Sequence, residues 1–219
     1  MYQYKSKALK HMRYARFPEY RPEKIYMQEF TKIQGLPKKY KHWQETVDQL
    51  LYPVPANGKV FLMVDCATVK QGEYHRRKGL HVDGIWNPDV PNKNKFKTWS
   101  YCPSWESAQP VSSSTGEVSN ILSLIEPPIK APRSYKKQAI ILASSCTMSK
   151  GYHGTFLTDT IIGDDGDCKH VKFHPNMQEF YFEGGNAYIG NANMLHETLP
   201  AKHTVDRQLI RLSVDGWEP

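Results

Sequence analysis

Short apolar runs separated by turn residues dominate the chain from residue 59 onward. "KVFLMVDCATV" at 59–69 is β-branched and bounded by turn residues, and it predicts a buried strand. "KGLHVDGIW" at 78–86 is expected to be its neighbour. Further predicted strands are "AIILASSCTM", "HGTFLTDTII", "EFYFEGG", "NAYIGNANMLHETL" and "DRQLIRLSVDG". Many short strands with close turn signals favour an antiparallel sandwich or barrel.

The first 58 residues follow a different pattern. Residues 1–22 are basic and aromatic with prolines near their end, and they predict an extended arm or a short helix. "PKKYKHWQETVDQLL" at 37–51 has apolar residues at helical spacing and predicts a helix. We therefore predict an all-β core with flanking helices, in which residues 1–58 form a basic arm and a helical segment that pack on a core over 59–219.

The stretch 87–120 interrupts the strand pattern. It is rich in Pro, Ser, Asn and Lys and carries several aromatic residues. A loop of this length inside a compact domain is usually functional or disordered. We expect a long loop at 87–120 that begins directly after the H-x-D stretch described below.

Composition narrows the class of protein. The 219 residues fit one domain, and 39% hydrophobic with 23% charged residues argues against a disordered chain. No apolar run approaches the roughly 18 residues of a spanning helix, and the charged N-terminus does not resemble a secretory signal. The four cysteines form no C-x-x-C pair, which argues against a zinc ribbon or a disulfide framework. We expect a soluble, cytoplasmic protein that is not secreted and does not bind membranes.

The charge is strongly basic, with a formal net charge of +7. One interpretation is a solvated basic surface. The other is a polyanionic partner such as nucleic acid or a nucleotide, because Lys and Arg displace counterions from phosphates. The charge alone leaves both interpretations open.

A histidine and an aspartate two positions apart form the candidate metal site. On a strand, His81 and Asp83 would project to the same face, with Cα atoms about 6 to 7 Å apart. A third ligand must come from elsewhere; the candidates are His153, His170, His174, His196 and His203. His196 stands out because it closes one predicted strand and precedes another. Two histidines and one carboxylate, with open positions, favour non-haem Fe(II).

The last predicted strand has two unlike faces. Gln208, Ile210, Leu212 and Val214 share one face, and Arg207, Leu209, Arg211 and Ser213 share the other. The mostly apolar face must pack on the core. The face with two arginines is therefore either exposed to solvent or lines a cavity, where a guanidinium binds a carboxylate bidentately.

Taken together, H-x-D, a lone histidine more than a hundred residues later, and an arginine on the last core strand resemble the Fe(II)- and 2-oxoglutarate-dependent dioxygenase family. The resemblance covers about residues 59–216. It implies a double-stranded β-helix (a jelly roll, cupin-like), with His81, Asp83 and His196 as iron ligands. It also implies 2-oxoglutarate and O₂ as co-substrates and hydroxylation of a C–H bond.

The resemblance places the 2-oxoglutarate carboxylate on an arginine. Arg207, eleven residues after His196, occupies the usual place. Arg211 is the rival, because "RLS" resembles the Arg-x-Ser element of some members and brings in Ser213. The taurine-dioxygenase-like branch has arginines at both offsets, one for co-substrate and one for substrate. We favour Arg207 for 2-oxoglutarate. No glycine directly precedes Arg207, which departs from many members.

Aromatic residues near the H-x-D stretch are candidates for binding substrate: Trp86, Trp99 and Tyr101, with Tyr74 at the border. They suit stacking on a planar group, and lysines 93, 95 and 97 suit phosphates. A nucleobase in nucleic acid, turned out of its stack, is the leading substrate class. The alternatives are the same chemistry on a small molecule, such as an amino acid or sulfonate, and a non-catalytic cupin-like binding module.

Overall fold

The computed structural model describes residues 2–55, 57–86, 137–160, 162 and 165–219, together with the backbone of 99–100 and 109–110. In chain order the strands are β1 Tyr2–Ser6, β2 Ala8–Tyr14, β3 Glu23–Thr31, β4 Lys59–Val69, β5 Ile85–Trp86, β6 Trp99–Ser100, β7 Gln109–Pro110, β8 Gln138–Ser144, β9 Ser149–Thr158, β10 Lys172–Phe173, β11 Gln178–Tyr181, β12 Asn186–Asn191, β13 Leu195–Thr198 and β14 Val205–Asp215. A 3₁₀ helix, Lys38–Trp43, continues into α1, Gln44–Leu50.

Two six-stranded antiparallel sheets contain most of these strands. The first, called the major sheet here, has the order β2-β12-β8-β14-β4-β3. In the second, the minor sheet, β9 pairs with β1, β10, β11 and β13, and β7 pairs with β1. β5 and β6 form a separate two-stranded ladder. The prediction of a mostly β protein with flanking helices is confirmed, whereas the double-stranded β-helix stays a prediction.

The outer face of the major sheet packs against the helices. Trp43, Val47 and Leu50 are almost fully buried against Leu62 and Leu212 and their apolar neighbours on the sheet. The predicted helix is confirmed, although its first part is a 3₁₀ helix. This apolar layer leaves the inner face of the major sheet free to form a cavity.

The predicted arm or short helix at the N-terminus is wrong for residues 2–14, which form β1 and β2. These residues form strands because their side chains alternate between buried and exposed: Tyr4, Ser6 and Ala8 are buried, while Lys5 and Lys7 between them are exposed. β1 joins the minor sheet, and β2 and β3 join the major sheet. Residues 1–58 therefore supply strands to both sheets and do more than pack on a core that begins at 59.

"KGLHVDGIW" is not a neighbour of β4, because β3 and β14 flank β4 on its two sides. Residues 78–84 make only isolated bridges, and a two-residue strand follows them. Gly79 (φ 88°) and Gly84 (φ 69°) adopt left-handed backbone conformations that interrupt an extended run. The other strands predicted after residue 137 are confirmed, within a few residues at their ends, with one exception. The run "NAYIGNANMLHETL" is not one strand: a turn after Asn191 divides it into β12 of the major sheet and β13 of the minor sheet.

The predicted loop at 87–120 lies outside the described residues, apart from the backbone of its two short strands. Among the helices that the structure describes, none is long and apolar enough to cross a membrane.

Candidate metal centre

Three predicted ligands come together in space. One ligand atom from each of His81, Asp83 and His196 lies within 4.8 Å of the other two. Both histidines are buried, and the Asp83 side chain is 18% exposed. In the part of the chain that the structure describes, this is the one such group of three, so His153, His170, His174 and His203 belong to no comparable cluster.

Backbone pairing between two remote segments holds the histidines together. The His81 amide donates to the His196 carbonyl at 2.9 Å, and the His196 amide donates to the His81 carbonyl at 3.0 Å. The ring centroids lie 4.3 Å apart. His196 projects from β13, whereas Asp83 follows His81 in irregular backbone. The predicted convergence of His81 and Asp83 is therefore confirmed, but the regular strand from which it was argued is absent.

Each histidine ring has its Nδ1 atom tied to a carbonyl. His81 Nδ1 donates to the Gly79 carbonyl at 2.8 Å, and His196 Nδ1 donates to the Met194 carbonyl at 2.9 Å. A proton on Nδ1 leaves the Nε2 lone pair free in the neutral ring. Such hydrogen bonds fix tautomer and orientation in metal-binding histidines.

The protonation states suit a metal ion at neutral pH. Burial, with His196 nearby, lowers the pKa of His81 to about 4, so its ring is neutral. Burial opposes ionisation of Asp83, but Arg211 and the two histidines outweigh it and hold the Asp83 pKa well below its ordinary range. The group thus offers an imidazole and a carboxylate that need not lose a proton on binding.

Arg211 is committed to the aspartate. Its Nη1 atom lies 2.8 Å from Asp83 Oδ2, and its Nη2 atom contacts Met27 Sδ at 3.5 Å. Met27 has a positive φ of 46° and lies in a bulge of β3. The bulge turns Met27 inward onto Arg211, as bulges beside functional sites often re-aim a side chain.

Arg207 lacks such a partner. It is only 1% exposed; its Nε donates to Ser144 Oγ at 3.0 Å, and its Nη2 donates to Ser149 Oγ at 3.2 Å. Among the described residues, its Nη1 has no hydrogen-bond partner and no carboxylate lies within 4 Å. Burial lowers the pKa of Arg207 only to about 10, so the side chain stays charged at neutral pH. A buried, unpaired cation is costly unless an anion binds there.

A single cavity of about 330 Å³ joins these groups. It is lined by the three candidate ligands and by Arg207, Leu209 and Arg211 of β14. The other face of β14 packs in the core through Ile210, Leu212 and Val214. The two-faced strand is therefore as predicted, and its arginine face lines a cavity.

The other predicted site residues lie elsewhere. Trp86 is buried among Phe61 and other core side chains, and its backbone is held by the Gln138 side chain at 2.7 and 3.0 Å. Ser213 is fully buried, and Tyr74 is exposed beneath Lys78; neither lines the cavity. For Trp99 only the backbone is described, and Tyr101 lies outside the described residues.

Several cavity residues were not among the sequence candidates: Arg76, Arg77, Ser149 and Thr198. Arg76 and Arg77 belong to "HRRK", which the sequence marks only as basic. Their position directly before the His81 segment was the available signal. Ser149 and Thr198 carry no signal of their own, although Thr198 lies two residues after His196 and shares its strand face.

In comparisons with known proteins, no family model, no curated protein and no solved structure matches the chain.

Proposed function

We propose that the protein is an Fe(II)- and 2-oxoglutarate-dependent dioxygenase that hydroxylates a C–H bond. One observation carries the proposal: His81, Asp83 and His196 share a cavity with Arg207, a buried cation without a carboxylate partner. A metal group and an anion subsite in the same cavity are what a metal-chelating dicarboxylate requires.

The donor set fits iron. Two imidazoles and one carboxylate are typical of non-haem Fe(II) sites that keep positions open for co-substrate and oxygen. His81 and His196 have the tautomer that directs Nε2 to a metal, and Asp83 is ionised. All three side chains line the cavity, so ligands can reach a metal from that side.

Arg207 fits the far carboxylate of 2-oxoglutarate better than Arg211 does. Arg211 already pairs with Asp83 at 2.8 Å, whereas Nη1 of Arg207 has no described partner. Ser144 and Ser149 orient the Arg207 guanidinium through its other nitrogens. When bound, iron and 2-oxoglutarate supply the oxidising power. The protein's own groups orient the co-substrate and exclude water from the buried end.

The fold is compatible with a double-stranded β-helix, which we include in the proposal. The two antiparallel sheets contribute different parts of the cavity: His196 comes from β13 of the minor sheet, and both arginines come from β14 of the major sheet. The resemblance to the dioxygenase family implies the same arrangement, with iron held inside a double-stranded β-helix.

For the substrate, a nucleobase in nucleic acid or a nucleotide remains our leading class, and a small acid is the alternative. The charge of +7 favours the former. The predicted stacking residues do not add support, because Trp86 is a core residue and Tyr74 lies outside the cavity.

The test is an anaerobic titration of the Fe(II)-loaded protein with 2-oxoglutarate, followed by the weak visible charge-transfer band of the chelate. We expect a saturable band that is lost in His81→Ala. In Arg207→Ala the band should require much higher 2-oxoglutarate. Arg211→Ala is the comparison. If Arg211→Ala raises the 2-oxoglutarate concentration needed for the band as much as Arg207→Ala does, the assignment of the far carboxylate to Arg207 is wrong.

One observation favours a second candidate, a non-catalytic binding module. The contact between Arg211 and Asp83 at 2.8 Å satisfies the carboxylate without any metal. In that case the folded wild type would give no chelate band, and His81→Ala would change neither metal content nor ligand binding.

A further inference from the structure

The cavity has an outer part that the proposed iron chemistry does not use. Arg76 and Arg77 line it together with the candidate ligands, but their side chains are 41% and 40% exposed. Arg207 and Arg211 are almost fully buried. Two arginines therefore lie at the deep end of the cavity, and two lie at its solvent-facing mouth.

The lining carries an excess of positive charge. Four arginines line the cavity, and Lys24 and Lys169 lie beside them. These six cations face four acids, namely Asp83 and Asp165 of the lining and the neighbouring Asp65 and Asp167, which leaves a formal excess of two positive charges. A divalent metal and a dianionic co-substrate cancel each other and leave that excess in place. The remaining occupant of the cavity, the substrate, should therefore be an anion.

Arg76 is held in position by a buried acid. Its Nη1 atom donates to Asp65 Oδ2 at 2.9 Å, and the Asp65 side chain is only 7% exposed. Among the described residues, the one acceptor for its Nη2 atom is the weak Met63 Sδ, at 3.9 Å. A guanidinium fixed on one side and open on the other is preorganised for a ligand.

Arg77 is held more loosely. One nitrogen donates to the Asp165 carbonyl, while the Asp165 and Asp167 carboxylates lie 3.9 and 3.8 Å from its Nη2. Those separations exceed hydrogen-bond distance, and exposed ion pairs of this kind contribute little. In the part of the chain that the structure describes, its remaining donors have no hydrogen-bond partner and are available to an incoming anion.

Two lysines extend this basic mouth. Lys24 lies 4.0 Å from Asp65, the acid that holds Arg76, and Lys169 pairs with Asp167 at 3.2 Å. The Lys169 side chain also lies against the backbone of Gly79: its Cε would be 3.6 Å from a Cβ atom built on this glycine. A carboxylate needs one guanidinium, but a phosphate has enough oxygens for two.

We propose that the substrate carries a phosphate group, which Arg76 and Arg77 bind at the mouth of the cavity. That the phosphate-bearing ligand is a substrate rests on the proposed function, but the phosphate site itself is independent of iron. It points to a nucleotide or a nucleic acid strand, whose phosphate would dock at the mouth while the group to be oxidised enters the cavity.

The test measures binding to the metal-free protein. The probe is a fluorescent ten-nucleotide single strand of DNA, whose binding is measured by fluorescence anisotropy at low salt. Thymidine 5′-monophosphate and thymidine are the competitors. The monophosphate should compete, and thymidine should not. Arg77→Gln should weaken both phosphate-bearing ligands about tenfold, which corresponds to about 1.4 kcal/mol. Arg77→Lys should recover part of the loss.

Arg16→Gln is the matched control. It removes the same charge from a side chain that is 79% exposed and pairs with Glu45 of α1, on the opposite side of the major sheet. Arg76→Gln is a secondary variant, since it removes one of the partners of the buried Asp65 and leaves His75. Its fold is checked by thermal melting. Equal effects of Arg77→Gln and Arg16→Gln, or competition by thymidine as strong as by its monophosphate, would overturn the proposal.

The same series separates the two proposals and the two phosphate sources. Arg77→Gln should retain the chelate band with Fe(II) and 2-oxoglutarate. If the wild type shows the chelate band but its DNA binding does not depend on Arg77, only the phosphate site is refuted. If DNA binding depends on Arg77 but no chelate band forms, only the iron chemistry is refuted. Tighter binding of the oligonucleotide with a steep salt dependence indicates a nucleic acid strand, and equal affinity indicates a nucleotide.

Discussion

The two faces of the major sheet differ in almost every property although they are made by the same strands. The outer face presents Leu62 and Leu212 and packs against Trp43 and Leu50 in a continuous apolar layer. The inner face presents Arg207 and Arg211 to a cavity. The alternation of a strand separates the residues that stabilise the fold from those that hold charge, so each set can be changed with limited effect on the other.

The largest expected effect is on the inner side. His81→Ala should lower the affinity for Fe(II) on the order of 100-fold or more, since loss of an outer partner alone costs about 10- to 100-fold. Metal content after dialysis, measured by atomic absorption, checks this. His203→Ala, which removes an exposed histidine, should bind metal like the wild type. Equal metal content in all three proteins would contradict the metal centre.

The matching change on the outer face is Leu212→Ala. Leu212 is fully buried, and its truncation should lower the free energy of unfolding by about 2 to 5 kcal/mol. Denaturant unfolding of the metal-free protein measures this loss. Metal affinity at low temperature should not change. If metal affinity falls together with stability, the two faces are not separable.

The pH dependence of stability tests the contribution of Asp65, which is on the inner face. Burial would raise its pKa, but His75 and Arg76 outweigh burial and lower the pKa from 3.8 to about 2. Because the folded-state pKa lies below the unfolded one, this stabilisation is full above about pH 4. It is lost as the pH falls toward 2, by about 2 kcal/mol in all. Asp65→Asn should flatten the dependence of the unfolding free energy on pH in this window. An unchanged slope would mean that other groups cause the pH dependence.

The smallest effect concerns Arg207 itself. Arg207→Met removes a buried cation that lacks a carboxylate partner, so the free energy of unfolding should stay the same or rise by about 1 kcal/mol. Thermal melting of the protein without co-substrate measures this. A loss of several kcal/mol would mean that the two serine contacts make Arg207 a structural residue.

Local periodicity accounts for what could be predicted. The strand at 59–69 and the two faces of the last strand follow from residues within one run, and the structure confirms both. β1 and β2 were missed although their burial alternates with a period of two, because their inward residues lack the β-branched side chains that mark β4. No local pattern distinguishes a basic strand from a basic arm when the inward residues include Ser6 and Tyr4.

The site was predictable in its members but not in its contacts. His81, Asp83 and His196 were selected by residue type and order, and they converge. The pairing of Arg211 with Asp83 depends on the exact registry of β14 and on irregular backbone after His81, neither of which the sequence displays. Trp86 was predicted to bind substrate, but its neighbours Phe61 and Gln138 belong to remote strands that bury it.

The reciprocal backbone hydrogen bonds between His81 and His196 also bear on the order of events in folding. These residues are far apart in the chain, so their pairing closes a long loop whose entropic cost is met only when both sheets have assembled. A metal that needs both rings would bind the native state and not the unfolded chain. In hydrogen exchange, the amide protons of His81 and His196 should therefore slow together when metal is added, as a pair that opens in one step.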